Sequence, residues 1–79
     1  MKIELRLFAS FASRLPSGTP GNTCFMEVED GSSVKDLLKL LNIGLDEPKI
    51  MFRNGIHTSA DDIVLDGDRV ALFPPIAGG

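Results

Sequence analysis

The chain opens on a clean two-residue alternation. From Lys2 to Phe8, Ile3, Leu5 and Leu7 fall on one side and Lys2, Glu4 and Arg6 on the other, the pattern of a strand with one buried face. Cys24 to Glu29 alternates again, with Cys24, Met26 and Val28 against Phe25, Glu27 and Glu29. An antiparallel pairing of these two strands is the simplest expectation. Between them, Ser10 to Leu15 suits a short helical turn, and Pro16 to Asn22 consists almost entirely of turn formers. The period then changes. Val34, Leu37, Leu38 and Leu41 fall at i, i+3, i+4 and i+7, which predicts an amphipathic helix. Ser33 with Asp36 three residues on gives a capping-box-like start, and Gly44, after Asn42 and Ile43, is expected to supply the left-handed stop.

A further strand is expected over Lys49 to Arg53. Asn54-Gly55 follows it, a dipeptide suited to a two-residue hairpin turn whose central positions both need positive φ. Ile56-His57-Thr58 reads as the return arm, and Ser59 to Ile63 as a tight turn or a single helical turn. Asp66-Gly67 turns the chain into a last strand, Arg69 to Phe73. Pro74 and Pro75 lack backbone donors, so ladder pairing should stop there, and the pair favours an extended exit. The order strand, strand, helix, strand, short strand, strand predicts one α+β domain spanning residues 1–79. It would be a mixed sheet of four to five strands with one main helix packed across one face. The crossover lets the strands on either side of the helix run parallel. Residues 74–79 read as a flexible C-terminal tail.

Composition narrows the function. Apolar residues are 43% and charged residues 24%, a soluble globular balance. A domain of this size buries only about 60–65% of its unfolded surface, so a deep cofactor pocket is not expected and no cofactor should be bound. The net charge is −3, with eight Lys and Arg scattered along the chain, which argues against nucleic-acid binding. No run approaches membrane-spanning length, and the N-terminal residues lack a signal-peptide apolar stretch. A cytoplasmic protein with no membrane partner is expected. Cys24, the only cysteine, excludes an intramolecular disulfide and reads as a small core residue. His57 has no second histidine or cysteine with which to hold a metal and reads as a surface side chain. Asp61-Asp62 and Asp66-Gly67-Asp68 lack calcium-loop spacing and read as turn and cap residues. Gly18 and Gly21 lack the strand-loop-helix context of a phosphate loop.

The remaining chemistry lies in Gly78-Gly79. A carboxylate carried on two residues without side chains can be threaded through a narrow channel. Asn54-Gly55 after the third strand, then Asp66-Gly67-Asp68-Arg69-Val70-Ala71-Leu72-Phe73-Pro74-Pro75-Ile76-Ala77-Gly78-Gly79, with the opening strand running into Phe8-Ala9-Ser10, resemble the β-grasp (ubiquitin-like) proteins. The likeness is closest to the MoaD/ThiS sulfur carriers. Topologically it covers the whole chain, and its specific motif covers the last fourteen residues. Phe73-Pro74-Pro75 is similar to the small subunit of molybdopterin synthase, whereas thiamin-pathway carriers usually lack the double proline. The loop from Leu15 to Asn22 leaves the pathway open.

The resemblance implies a set of partners. A ubiquitin-activating-type enzyme would use ATP to adenylate Gly79, and a sulfur donor such as a cysteine desulfurase or rhodanese would convert it to a thiocarboxylate. The tail residues Ile76, Ala77 and Gly78 would then enter a larger, MoaE-like synthase subunit, where sulfur builds the dithiolene of a molybdenum or tungsten cofactor. The chain itself would not be catalytic alone. A ThiS-like carrier for thiazole or cysteine synthesis shares this tail chemistry, as does a ubiquitin-like modifier conjugated through Gly79. A plain interaction module with an incidental diglycine is the third class.

Strand phase suggests the docking surface. With Ile3, Leu5, Leu7, Ile50, Phe52, Val70 and Leu72 facing the helix, the opposite face would carry Arg6, Phe8, Met51, Arg53, Arg69, Ala71 and Phe73. That face mixes residue types enriched at protein interfaces and runs into Pro74-Pro75.

Overall fold

Alternation predicts strands but not their order in space. In the computed structural model, which describes residues 1–75, five strands form one sheet. They are β1 (Lys2–Leu7), β2 (Thr23–Glu27), β3 (Ile50–Arg53), β4 (Ile56–His57) and β5 (Arg69–Phe73), in the order β2-β1-β5-β3-β4. β1 pairs antiparallel with β2 and parallel with β5, and β3 pairs antiparallel with both β5 and β4. The strands flanking the helix, β2 and β3, therefore run in the same direction, as a crossover allows. The chain's first and last strands lie side by side at the centre. Expectations placed on Ile76, Ala77, Gly78 and Gly79 lie outside the described residues.

The helix α1 (Val34–Leu40) is only two turns long, too short to be stable on its own. Its ends and its buried face hold it. Ser33 Oγ accepts from the Asp36 amide while the Asp36 carboxylate accepts from the Ser33 amide at 2.9 Å, a complete capping box. The next two orphan donors are met by a distant loop: Val34 N–H donates to the Asp62 carbonyl and Lys35 N–H to the Ala60 carbonyl. The Ser59–Ile63 segment is thus a turn whose return, an isolated bridge between Ile63 and Ser33, ties down the start of the helix.

The helix stop differs from the sequence expectation. Asn42, with φ 57°, takes the left-handed position, and Gly44 does not. Ile43 N–H donates to the Leu38 carbonyl and Asn42 N–H to the Lys39 carbonyl, the two bonds of a Schellman motif. Ile43 is buried just beyond it. Asn tolerates this conformation, so the chain turns two residues earlier than glycine placement suggested.

The core is aliphatic at its centre. Ile3, Leu5 and Leu7 of β1 and Val70 and Leu72 of β5 are fully buried against Val34, Leu37 and Leu38 of α1, each side chain contributing about 1.5–3 kcal/mol of transfer free energy. A 3-10 segment, Ala9–Arg14, closes one end with Phe11 buried. Among the described residues, no helix is long and apolar enough to cross a membrane.

Candidate functional site

The sheet face opposite the helix carries the residues from which a site can be built. Phe73 ends β5, and Phe8 continues past β1, its amide donating to the Leu72 carbonyl at 3.1 Å. This places the two rings side by side, stacked at 4.5 Å with an interplanar angle of 3°. Phe52 of β3 meets Phe73 edge-on at 5.9 Å, and its own face carries the His57 ring at 4.4 Å. The separations match favourable aromatic geometry. With Ile50 and Pro74 these rings line an apolar hollow of about 500 Å³ at the root of the C-terminal segment. A second hollow of about 300 Å³ adjoins it, flanked by Arg6 and Arg69 over Ala71.

The structure places Arg6, Phe8, Arg69, Phe73 and Pro74 on the outer face expected for them, where they line these two hollows, and Pro75 follows as an exposed residue. The phase of β3 is the reverse of the one expected. The register sets Met51 opposite Leu72 and Arg53 opposite Val70, and Ile50 opposite Phe73 and Phe52 opposite Ala71. Met51 and Arg53 therefore lie on the helix side. Met51 packs against the core, and the Arg53 guanidinium pairs with the nearly buried Asp68 carboxylate at 3.1 Å. Ile50 and Phe52, assigned to the core from sequence, lie on the outer face together with His57. Ile50-Met51-Phe52 is apolar throughout, so its alternation has no sign. The usable signal was aromaticity. The buried residues of β1 and β5 are aliphatic, while the phenylalanines at 8, 52 and 73 gather on the other side.

Register is fixed at the β3–β4 turn. Asn54 and Gly55 have φ of 53° and 81°, the conformation that a two-residue hairpin requires. The Asn54 side chain donates to Asp68 at 2.8 Å and accepts from the Arg69 amide at 2.9 Å. Asp68 also accepts from Arg53 and from the Leu65 amide at 2.8 Å. Burial pushes this carboxyl upward, but the bonds from Asn54, Leu65 and Arg53 outweigh it and hold it below the usual carboxylate range.

Elsewhere the chemistry is sparse. Burial pushes the Cys24 thiol up, which disfavours the thiolate that a sulfur relay would need. A hollow of about 770 Å³ between the end of β2 and α1 is lined by residues that include Glu27, Glu29, Asp36, Lys39 and Leu40 and shares none with the aromatic face. Among the described residues, the aromatic face offers rings, aliphatics and two guanidiniums. Such a surface can bind and orient a partner.

Residues 20–79 match the ThiS family. Small archaeal modifier protein 3 of Haloferax volcanii is 30% identical over 96 aligned positions covering 100% of both chains. Among solved structures, SAMP1 from Haloferax volcanii superposes with a TM-score of 0.78 at 26% identity, covering 100% of both chains. A putative molybdopterin converting factor subunit 1 from Pyrococcus furiosus gives 0.75 at 26% identity, covering 96% of this chain and 99% of that one. With its β-grasp sheet and the matched residues running through the final strand to Gly79, the chain belongs to the ThiS family of small sulfur carriers and ubiquitin-like modifiers.

Proposed function

We propose that this protein carries sulfur on Gly79 as the small subunit of a molybdopterin synthase-type complex. The observation that carries the reading is the continuity of the aromatic face with the root of the tail: Phe8, Phe52 and Phe73 surround the point where Pro74 leaves the sheet. A partner seated on that face holds the body of the domain while the last residues reach a reaction centre. Docking supplies the free energy that ordering the tail costs, about 1–2 kcal/mol per residue.

The chemistry follows from the carboxylate. An oxygen of Gly79 attacks the α-phosphate of ATP bound by the activating enzyme and expels pyrophosphate. The persulfide of the donor enzyme then displaces AMP at the acyl carbon to give an acyl disulfide, and a second thiol attacks the donor's cysteine sulfur, forming a disulfide with it and releasing the terminal thiocarboxylate. The larger subunit accepts that sulfur. ATP and the catalytic side chains belong to these partners, and this chain supplies the docking face and the tail.

A second reading has a specific observation in its favour: the curated relative at 30% identity is named a modifier. In that case the activated Gly79 forms an amide with a lysine of a target protein. Intact-mass spectrometry on N-terminally tagged protein recovered from its own cells separates the two. The expected result is a C-terminal shift equal to sulfur replacing oxygen, with a larger synthase subunit co-purifying. Branched adducts to target lysines would move the protein to the modifier class. A tail inert to activating enzyme, ATP and sulfur donor would overturn both. Deleting Gly79 is expected to abolish either product while leaving the fold unchanged.

A further inference from the structure

The two hollows on the outer face share one wall, formed by the rings of Phe8, Phe52 and Phe73. On one side of the wall the lining is apolar, with Ile50 and Pro74. On the other, Arg6 and Arg69 flank Ala71. Among the described residues Arg69 has no carboxylate within ion-pair distance, and Arg6 engages Glu4 through Nε alone. With respect to the described residues, the terminal nitrogens of both guanidiniums keep their donor capacity. The chain as a whole carries a charge of −3, so this pair of cations beside the aromatic wall is set against the overall sign. A purely apolar partner would cover these cations without replacing their water, which costs free energy. A carboxylate would replace it with charge-assisted, bidentate hydrogen bonds.

From this geometry we infer that the face takes an extended, acidic segment of a partner protein. A bulky apolar side chain fills the hollow beside Phe73, and a carboxylate two residues away meets Arg69 and Arg6. The spacing follows from β1 itself, where Phe8 and Arg6 are two residues apart on one side of the strand. An extended segment repeats that step, about 6.6–6.8 Å between side chains on the same side. The inference rests on the carrier reading only for what the docked partner goes on to do.

The test is a titration of the isotope-labelled full chain, followed by amide chemical shifts. The probes are the acetylated, amidated peptides Asp-Ala-Phe and Phe-Ala-Asp and their Asn-for-Asp counterparts. At low salt, about 0.02 M, an Asp peptide should bind about threefold more tightly than its Asn counterpart. Its shifts should centre on Arg69, Ala71 and Phe73. The difference should vanish at about 0.5 M salt and in Arg69→Gln. Equal affinity of Asp and Asn peptides in the native chain, shifts centred on the β2–α1 hollow, or no binding by any of the four would overturn the inference. Sulfur on Gly79, read by mass, is measured independently. A thiocarboxylated chain that ignores the carboxylate keeps the carrier reading and loses this one, and the converse holds equally.

Discussion

Asp68 shows how much one side chain can organise. Its carboxylate receives Arg53, Asn54 and the Leu65 amide, while its own carbonyl accepts from the Glu4 amide. It therefore joins the β3–β4 turn, the start of β5 and the neighbouring β1. Asp68→Ala would leave the Leu65 amide, the Asn54 side-chain donor and the Arg53 guanidinium without this partner, at a cost of about 2–3 kcal/mol. In a domain this small that is a fall in Tm of at least about 8 °C, checked by calorimetry. Asn54→Gly isolates the side-chain bonds from the backbone demand, since glycine adopts φ near 53° freely. It is expected to cost about 1 kcal/mol, and Gly55→Ala, forced to φ 81°, a similar amount through strain alone. Sequence reading recognised Asn54-Gly55 as a turn and Asp66-Gly67-Asp68 as turn residues. It could not see that the two sites bond to each other, because the contact spans fourteen residues and depends on a register that local pattern does not encode.

At the scale of elements, legibility followed the strength of the period. β1 alternates strictly and β5 is bracketed by the Asp66-Gly67 turn and Pro74-Pro75, so both were readable to within a residue or two, and α1 announced itself by its stripe and its Ser33–Asp36 cap. β3 failed because Ile50, Met51 and Phe52 offer both faces an apolar residue, so its phase was set by the ladder with β5. The outward phase of Phe52 has a measurable consequence. Phe52→Ser should leave urea stability nearly unchanged yet weaken partner docking by at least about tenfold, as expected for an aromatic anchor. Met51→Ser should do the reverse, lowering stability by about 1–2 kcal/mol through lost core packing. Identical behaviour of the two variants would refute the assigned phase. Ser33→Ala removes the hydroxyl half of the capping box and should cost about 1 kcal/mol, by urea titration against the parent chain.

For the molecule as a whole, acid stability is set by carboxylates that accept hydrogen bonds. Asp36 is held low chiefly by the Ser33 amide, Glu47 by the Arg14 guanidinium and Asp62 by the Thr58 hydroxyl. Asp68 joins them through Asn54, Leu65 and Arg53 against the opposing effect of its burial. Each folded-state pKa lies below its unfolded value, so the unfolded chain binds more protons in acid. The stabilisation is complete above the ordinary carboxylate range of about 4 and is lost as pH falls through the depressed folded values. Urea midpoints should accordingly be flat from neutrality to about pH 5 and decline below about pH 4, and a midpoint that rises on acidification would contradict this.

The central position of β5 governs how the face comes into being. Without Arg69–Phe73, the sheet order β2-β1-β5-β3-β4 falls into two isolated hairpins, each only marginally stable in water. The face that surrounds Pro74 draws its rings from β3, β5 and the residue after β1, so neither half can display it. It exists only when the ends of the sequence have found each other. Under the proposed carrier function, an activating enzyme that required this face before spending ATP on the tail would proofread the fold, and misfolded copies would never be charged.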